Sequence, residues 1–202
     1  MTQQEVSKKL IEGVIKVISR EGLDKASAKV IEAETGINVV YIYRCFKDKE
    51  DMFAQTFAEL DKELITAFAN SLLYLSDVSV GIEERFRLVF SKMWRFLLGD
   101  SDKCICYIRY YNSRYFQTYS YRTHKEAYAP LVNKMSEVFV PMANVWMLLT
   151  HALSTMLSFA VKVFDGIVPD DEDTAEHVFR LVYYSLTPYF KKDDETIGEK
   201  KE

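Results

Sequence analysis

The sequence predicts an all-α chain of roughly nine helices, and three observations predict it. Apolar residues recur at spacings of three and four along almost the whole chain, as on a helix with one buried face. The 202 residues include only 7 Gly and 4 Pro, too few to punctuate the many short strands of a sandwich or barrel. Hydrophobic residues make up 49% of the chain, enough for a substantial core.

The elements follow in order. Val6, Leu10, Val14 and Val17 form the apolar stripe of a first helix that stops at Gly22. Ser27 is placed to cap a short second helix from Ala28 to about Thr35, and Gly36 to end it in a left-handed turn. Asn38 then caps a third helix carrying Val39 to Phe46, despite the strand-like composition of Val39-Val40-Tyr41-Ile42-Tyr43. Asp48 caps a long fourth helix running towards Leu75, with Glu50 and Asp51 in its positive first turn. Further helices are expected over 80–98, 103–117, 121–139 and 141–164, the last opened by Pro141. The acidic run Asp170 to Asp173 starts a final helix ending near Phe190, and residues 191–202 form a charged tail.

Several function classes lose support from composition and motifs. The net charge is −4, and residues 1–53 hold nine Lys/Arg and nine Asp/Glu, so nucleic-acid binding must rest on where charges sit. Cys45, Cys104 and Cys106 make neither a disulfide framework nor a zinc pattern. Met1 is followed by polar residues rather than a basic and then an apolar region, so a cytoplasmic location is expected. His124, His151 and His177 are far apart, and no H-E-x-x-H, G-x-S-x-G or Gly-rich phosphate loop occurs. Asp173 and His177 are four apart, a spacing that a capped helix start explains better than a metal. No catalytic residue, metal or cofactor is expected.

Two short helices joined by a Gly-containing turn are the helix-turn-helix arrangement. Ile31, Ile37, Ile42 and Phe46 can face inward, leaving Asn38, Val39, Val40, Tyr41 and Arg44 outward, where a recognition helix meets base edges. The backbone amides beside Ser27 and Lys49 are placed for phosphates. An ordinary helical corner with surface valines has the same spacing, and spacing alone does not separate the two.

Gly36-Ile37-Asn38, followed by Ile42-Tyr43, Phe46 and Lys49-Glu50, resembles the signature of the TetR/AcrR family of transcription regulators. The match covers about residues 10–55. The resemblance implies a helix-turn-helix DNA-binding domain over 1–47 and a larger helical effector-binding and dimerisation domain over 48–190. It implies phosphate contacts for Tyr43, Lys49 and Ser27, with Lys29 beside them, and a palindromic double-stranded DNA operator read by a homodimer. Position 32 departs from the pattern: Glu32 stands where the family has Ala, at the expected close approach of two helices. It is expected to splay to the surface and pair with Lys29. Thr35, Val40 and Cys45 also depart.

The tyrosine-dense stretch Cys104 to Tyr121 has more aromatic surface than one core contact needs. By the same resemblance it falls where such regulators line an effector pocket, which assigns Tyr107, Tyr110, Tyr111, Arg114 and Tyr115 to a small-molecule effector. Core packing explains any single tyrosine equally well, and Arg109, Arg114, Arg122 and Lys125 among aromatics also suggest single-stranded nucleic acid. From Val138 to Val161 there is no Asp, Glu, Lys or Arg. Such a segment could span a bilayer, but Asn144, His151, Thr155 and Ser158 form a polar stripe, and the resemblance implies dimerisation through 141–164 and 172–190. The partner face on the last helix is expected to carry Phe179, Val182, Tyr183 and Leu186. The reading is a non-enzymatic, effector-released repressor. The alternative is a helical binding protein whose helix-turn-helix no longer binds DNA.

Overall fold

The computed structural model describes residues 2–191, so all but the first residue of the expected charged tail (191–202) lies outside the described residues. Among the described residues nine α-helices follow one another: α1 (Gln3–Glu21), α2 (Ala28–Thr35), α3 (Val39–Cys45), α4 (Lys49–Ser71), α5 (Ile82–Leu98), α6 (Ser101–Tyr111), α7 (Tyr121–Met135), α8 (Val145–Phe164) and α9 (Glu172–Leu186). The described residues contain no strand, only an isolated bridge between Phe139 and Phe190.

Local chemistry sets the ends. Thr2 and Glu5 cap α1 reciprocally, each side chain accepting from the other's backbone amide. The α2–α3 corner forms as its residues dictate: Ser27 Oγ accepts from Val30 N, Gly36 takes φ 69°, and Asn38 Oδ1 accepts from Val40 N. Asp48 Oδ1 accepts from Asp51 N to start α4. Ile31, Ile37, Ile42 and Phe46 are all buried beneath the corner, where apolar burial of about 1.5–3 kcal/mol per side chain outweighs the weak strand preference of 39–43.

Several expected boundaries shift: the helix expected over 121–139 ends at Met135 and the last one at Leu186, and three further shifts have a local reason. The tyrosine-rich helix does not run from 103 to 117. It ends at Tyr111, because Ser113 Oγ donates to the Tyr110 carbonyl and accepts from Phe116 N, competing with the helical ladder. A π turn, Phe116–Ser120, then leads into α7. Pro141 does not open α8. The preceding segment is held extended by Val140 N donating to Tyr189 O and Lys191 N donating to Val138 O, and Asn144 caps the helix instead. The fourth helix ends at Ser71 and continues as a 3-10 turn, Leu72–Ser76.

The close approach expected at Glu32 lies elsewhere. A methyl group on Gly13, in the middle of α1, would come within 2.1 Å of Thr35 Cγ2. Thr35 is buried, donates to Ile31 O (2.7 Å) and accepts from Ile37 N (3.2 Å). The extra bulk at position 35 is thus matched by an absent side chain at position 13, which explains a glycine where helix propensity disfavours one.

Gly13→Ala should therefore lose about 1–3 kcal/mol of stability by overpacking. Pairing it with Thr35→Ser, which removes the methyl and keeps both hydrogen bonds, should recover most of that loss in urea unfolding.

Candidate nucleic-acid interface and buried core site

On the outer face of α3, Val40, Tyr41 and Tyr43 are 57%, 49% and 61% exposed, unusual for large apolar and aromatic side chains on a seven-residue helix. Asn38 and Arg44 are also exposed, and the Arg44 guanidinium lies 5.2 Å over the Tyr41 ring. Val39 is half-buried at the helix start, and Lys29 is exposed on α2. Ser27 at the cap of α2, Tyr43 within α3 and Lys49 at the start of α4 line one surface hollow of about 160 Å³, walled by Ile42, Phe46 and Met52. The Lys49 ammonium is half-buried, 5.2 Å over the Phe53 ring, which holds its charge at the rim. A cation, a phenol, a hydroxyl and the first turns of α2 and α4 thus converge on a space of phosphate size.

Glu32 neither splays to the surface nor pairs with Lys29. It is half-buried, and its Oε1 accepts from Val39 N at 3.2 Å, the first amide of α3. A carboxylate at the positive end of a helix, holding an otherwise unpaired donor, is favourable. The side chain expected to splay to the surface instead ties α2 to the start of α3.

The middle of the molecule is built around a second buried carboxylate, which the sequence reading missed. Asp61 is 5% exposed on the inner face of α4; its Oδ1 accepts from the Tyr107 hydroxyl and its Oδ2 from His124 Nδ1, both at 2.9 Å. The signal was present: Asp61 lies on the same stripe as Phe57, Leu64 and Phe68. Tyr128 completes the group, its ring 4.3 Å from His124. Burial pushes the Tyr107 and Tyr128 phenols well above their ordinary range, so both keep their protons. The same cause raises Cys104 to about 12, leaving an inert thiol. Among the described residues no three metal-ligating side chains cluster.

The expected effector residues divide. Tyr107, Tyr110 and Tyr111 face the core: Tyr110 shares a hydrogen bond with Ser120 Oγ, and Tyr111 stacks on Tyr107. Tyr115 is half-buried, edge-on to Phe53. Arg114 is exposed, lies over the Tyr115 ring and feels Asp24 and Glu50 of the N-terminal region. It faces no cavity. Arg109 is engaged internally with the Ile18 carbonyl at the end of α1, whereas Arg122 makes an exposed pair with Glu126 one turn on. The first contact removes one cation from any strand-binding surface on this segment.

Beside Tyr128 lies an apolar cavity of about 60 Å³ among α4, α5, α7, α8 and α9, bounded by residues such as Leu64, Phe90, Met93, Leu153 and Val182. Phe179, Val182, Tyr183 and Leu186 are buried around it, so they are core rather than partner face. The free side of the last two helices carries Met147 (63% exposed), Leu181 (55%), Tyr184 (58%) and His151, whose Nε2 lies 3.0 Å from Ser185 Oγ. Helix α8 is long and apolar enough to cross a membrane, and 28% of its most apolar window is buried in the protein.

No protein-family sequence profile and no curated protein matches the chain. Solved structures do. A TetR family transcription regulator from Marinobacter aquaeolei superposes with a TM-score of 0.75 at 16% identity, covering 95% of this chain and 100% of that one. A putative TetR family regulator from a Shewanella species gives 0.73 at 11% identity, with coverage of 95% and 100%. The fatty acid degradation regulator FadR from Bacillus halodurans gives 0.65 at 17%, with coverage of 87% and 96%. The chain has the TetR-family fold along nearly its whole length.

Glu32→Ala should speed hydrogen exchange at the Val39 amide and cost about 0.5–1.5 kcal/mol, the worth of one hydrogen bond. Glu32→Gln, which keeps an acceptor oxygen, should lie close to the parent in both measurements.

Proposed function

We propose that the chain is a homodimeric transcription repressor that binds a palindromic DNA operator and leaves it when a small-molecule effector occupies its core. One observation carries the reading: Ser27, Tyr43 and Lys49 line a single hollow flanked by the outward residues of α3. Phosphate contacts in that hollow, with Lys29 at its side, fix the register of the protein on the duplex. Asn38, Val39, Val40, Tyr41 and Arg44 then meet base edges, valines against thymine methyl groups and Asn38 or Arg44 as hydrogen-bonding partners. A region over 1–47 thus serves DNA and one over 48–190 the effector and the partner copy, as expected of a cytoplasmic regulator.

The dimer forms over the outer side of α8 and α9, where Met147, Leu181 and Tyr184 are exposed together. An apolar helix face of this kind asks for cover, and a second copy supplies it symmetrically. A bilayer accords less well with the polar stripe of Asn144, His151 and Thr155 on α8. Effector entry at the core acts on α4, which lines the cavity through Leu64 and Phe68 and the hollow through Lys49 and Met52. The effector must prefer the state that does not fit DNA.

In solution the particle mass should be twice the 23.5 kDa of one chain. Purified protein should select palindromic genomic fragments with an affinity that falls steeply with salt. Lys49→Ala should weaken binding to all sequences alike and lower the log-salt slope by about 1, whereas Tyr41→Ala should alter which sequences are selected. Selection of no palindrome by the parent protein would refute the reading.

A further inference from the structure

Among the described residues, seven of the chain's nine arginines donate to a carboxylate or a backbone carbonyl. The other two, Arg44 and Arg114, lie over tyrosine rings instead. Arg114 feels the nearby acids Asp24 and Glu50. Arg44 stands apart, exposed on α3, with its guanidinium carbon 5.2 Å from the centroid of the Tyr41 ring three residues back. A guanidinium held over an aromatic face is pre-oriented, and its planar fork of N–H groups is left for an outside acceptor.

The place of Arg44 on the helix says what that acceptor is. Each residue turns the side-chain direction by about 100°, so Arg44 falls between Val40 and Tyr41. It lies on the far side from Ile42 and Tyr43, the α3 residues of the phosphate-sized hollow, and does not line that hollow itself. Arg44 thus belongs to the face proposed for base edges, not to the phosphate contacts. A guanidinium offers donors only. In the major groove guanine alone presents two acceptors side by side, N7 and O6. Adenine and cytosine present an amino donor there, and thymine one acceptor beside its methyl group. A planar fork of donors matches guanine.

We infer that Arg44 reads a guanine in each operator half-site, and that Tyr41 is the positioning residue that holds its guanidinium for the bidentate contact. The inference rests on the reading of the chain as a sequence-specific regulator and names a base that its operator must contain.

The test is selection from a random double-stranded DNA library by the full chain and by three variants: Arg44→Lys, Tyr41→Phe and Tyr41→Leu. The parent should select a motif with a G·C pair in each half-site that Arg44→Lys and Tyr41→Leu both cease to prefer. Tyr41→Phe, which keeps the ring, should keep the preference. Changing that pair to A·T should weaken parent binding about tenfold, a difference of about 1.4 kcal/mol, and Arg44→Lys binding less than about twofold. Both side chains are exposed, so all three variants should unfold in urea like the parent. A motif without such a guanine, a guanine that Arg44→Lys still prefers, or one that Tyr41→Leu leaves untouched would each overturn the inference. Loss of the preference in Tyr41→Phe would overturn it too, since the hydroxyl rather than the ring would then be at work. A parent that selects no sequence at all would instead sink the regulator reading, and this inference with it.

Discussion

The structure depends on one constraint: α4 has to serve two places at once. Its first residue, Lys49, stands at the rim of the phosphate-sized hollow, and its later turns carry Asp61, Leu64 and Phe68 into the core. At 1.5 Å per residue, Lys49 and Leu64 are about 22 Å apart along one unbroken helix. A rigid rod of that length turns a small displacement at the core into a displacement at the corner. Helix α6 offers a second link, since Arg109 donates to the Ile18 carbonyl at the end of α1 while Tyr107 on the same helix holds Asp61. Both routes meet at the Asp61 group, so the polar centre of the core is mechanically tied to both sides of the helix-turn-helix.

Two carboxylates illustrate how context decides the meaning of a residue. Glu32 reads as an intruder in a helix-turn-helix, yet its carboxylate completes the hydrogen bonding of α3 by taking the Val39 amide. Asp61 reads as an unremarkable member of a charged helix, yet it is the most buried acid among the described residues and organises Tyr107, His124 and Tyr128. The difference lies in the partners, which come from residues 7 and 46 or more positions away. Long-range partnership of this kind leaves no local pattern in the chain.

What the sequence does show is local by nature. Caps, glycine turns and apolar spacing placed α1 to α3 and the start of α4 to within a residue or so, because those signals act within one helical turn. The outward set on α3 followed from the same periodicity. The errors arose where side chains bond to nearby backbone or where strand-like pairing ties distant segments, at Ser113 and between Val140 and Tyr189. The effector residues were half legible: the tyrosines of α6 face the core, whereas Arg114 lies beyond the helix break at Asn112 and turns to solvent. The last helix shows the same limit. Its most regular apolar face, Phe179 to Leu186, is claimed by the chain's own core, and the exposed face with Leu181 and Tyr184 is the less regular one.

The central claim is that an occupied core resets the spacing of the two helix-turn-helix units. Ala33, exposed on α2 and outside the proposed DNA contacts, is the place to measure it. Spin labels on Ala33→Cys, in a Cys45→Ser background with the buried Cys104 and Cys106 left unreacted, report the distance between the two units of a dimer. One distance distribution is expected for the DNA-bound dimer and a displaced one when a small molecule that releases the operator is bound. Identical distributions, with that molecule shown to be bound, would contradict the claim.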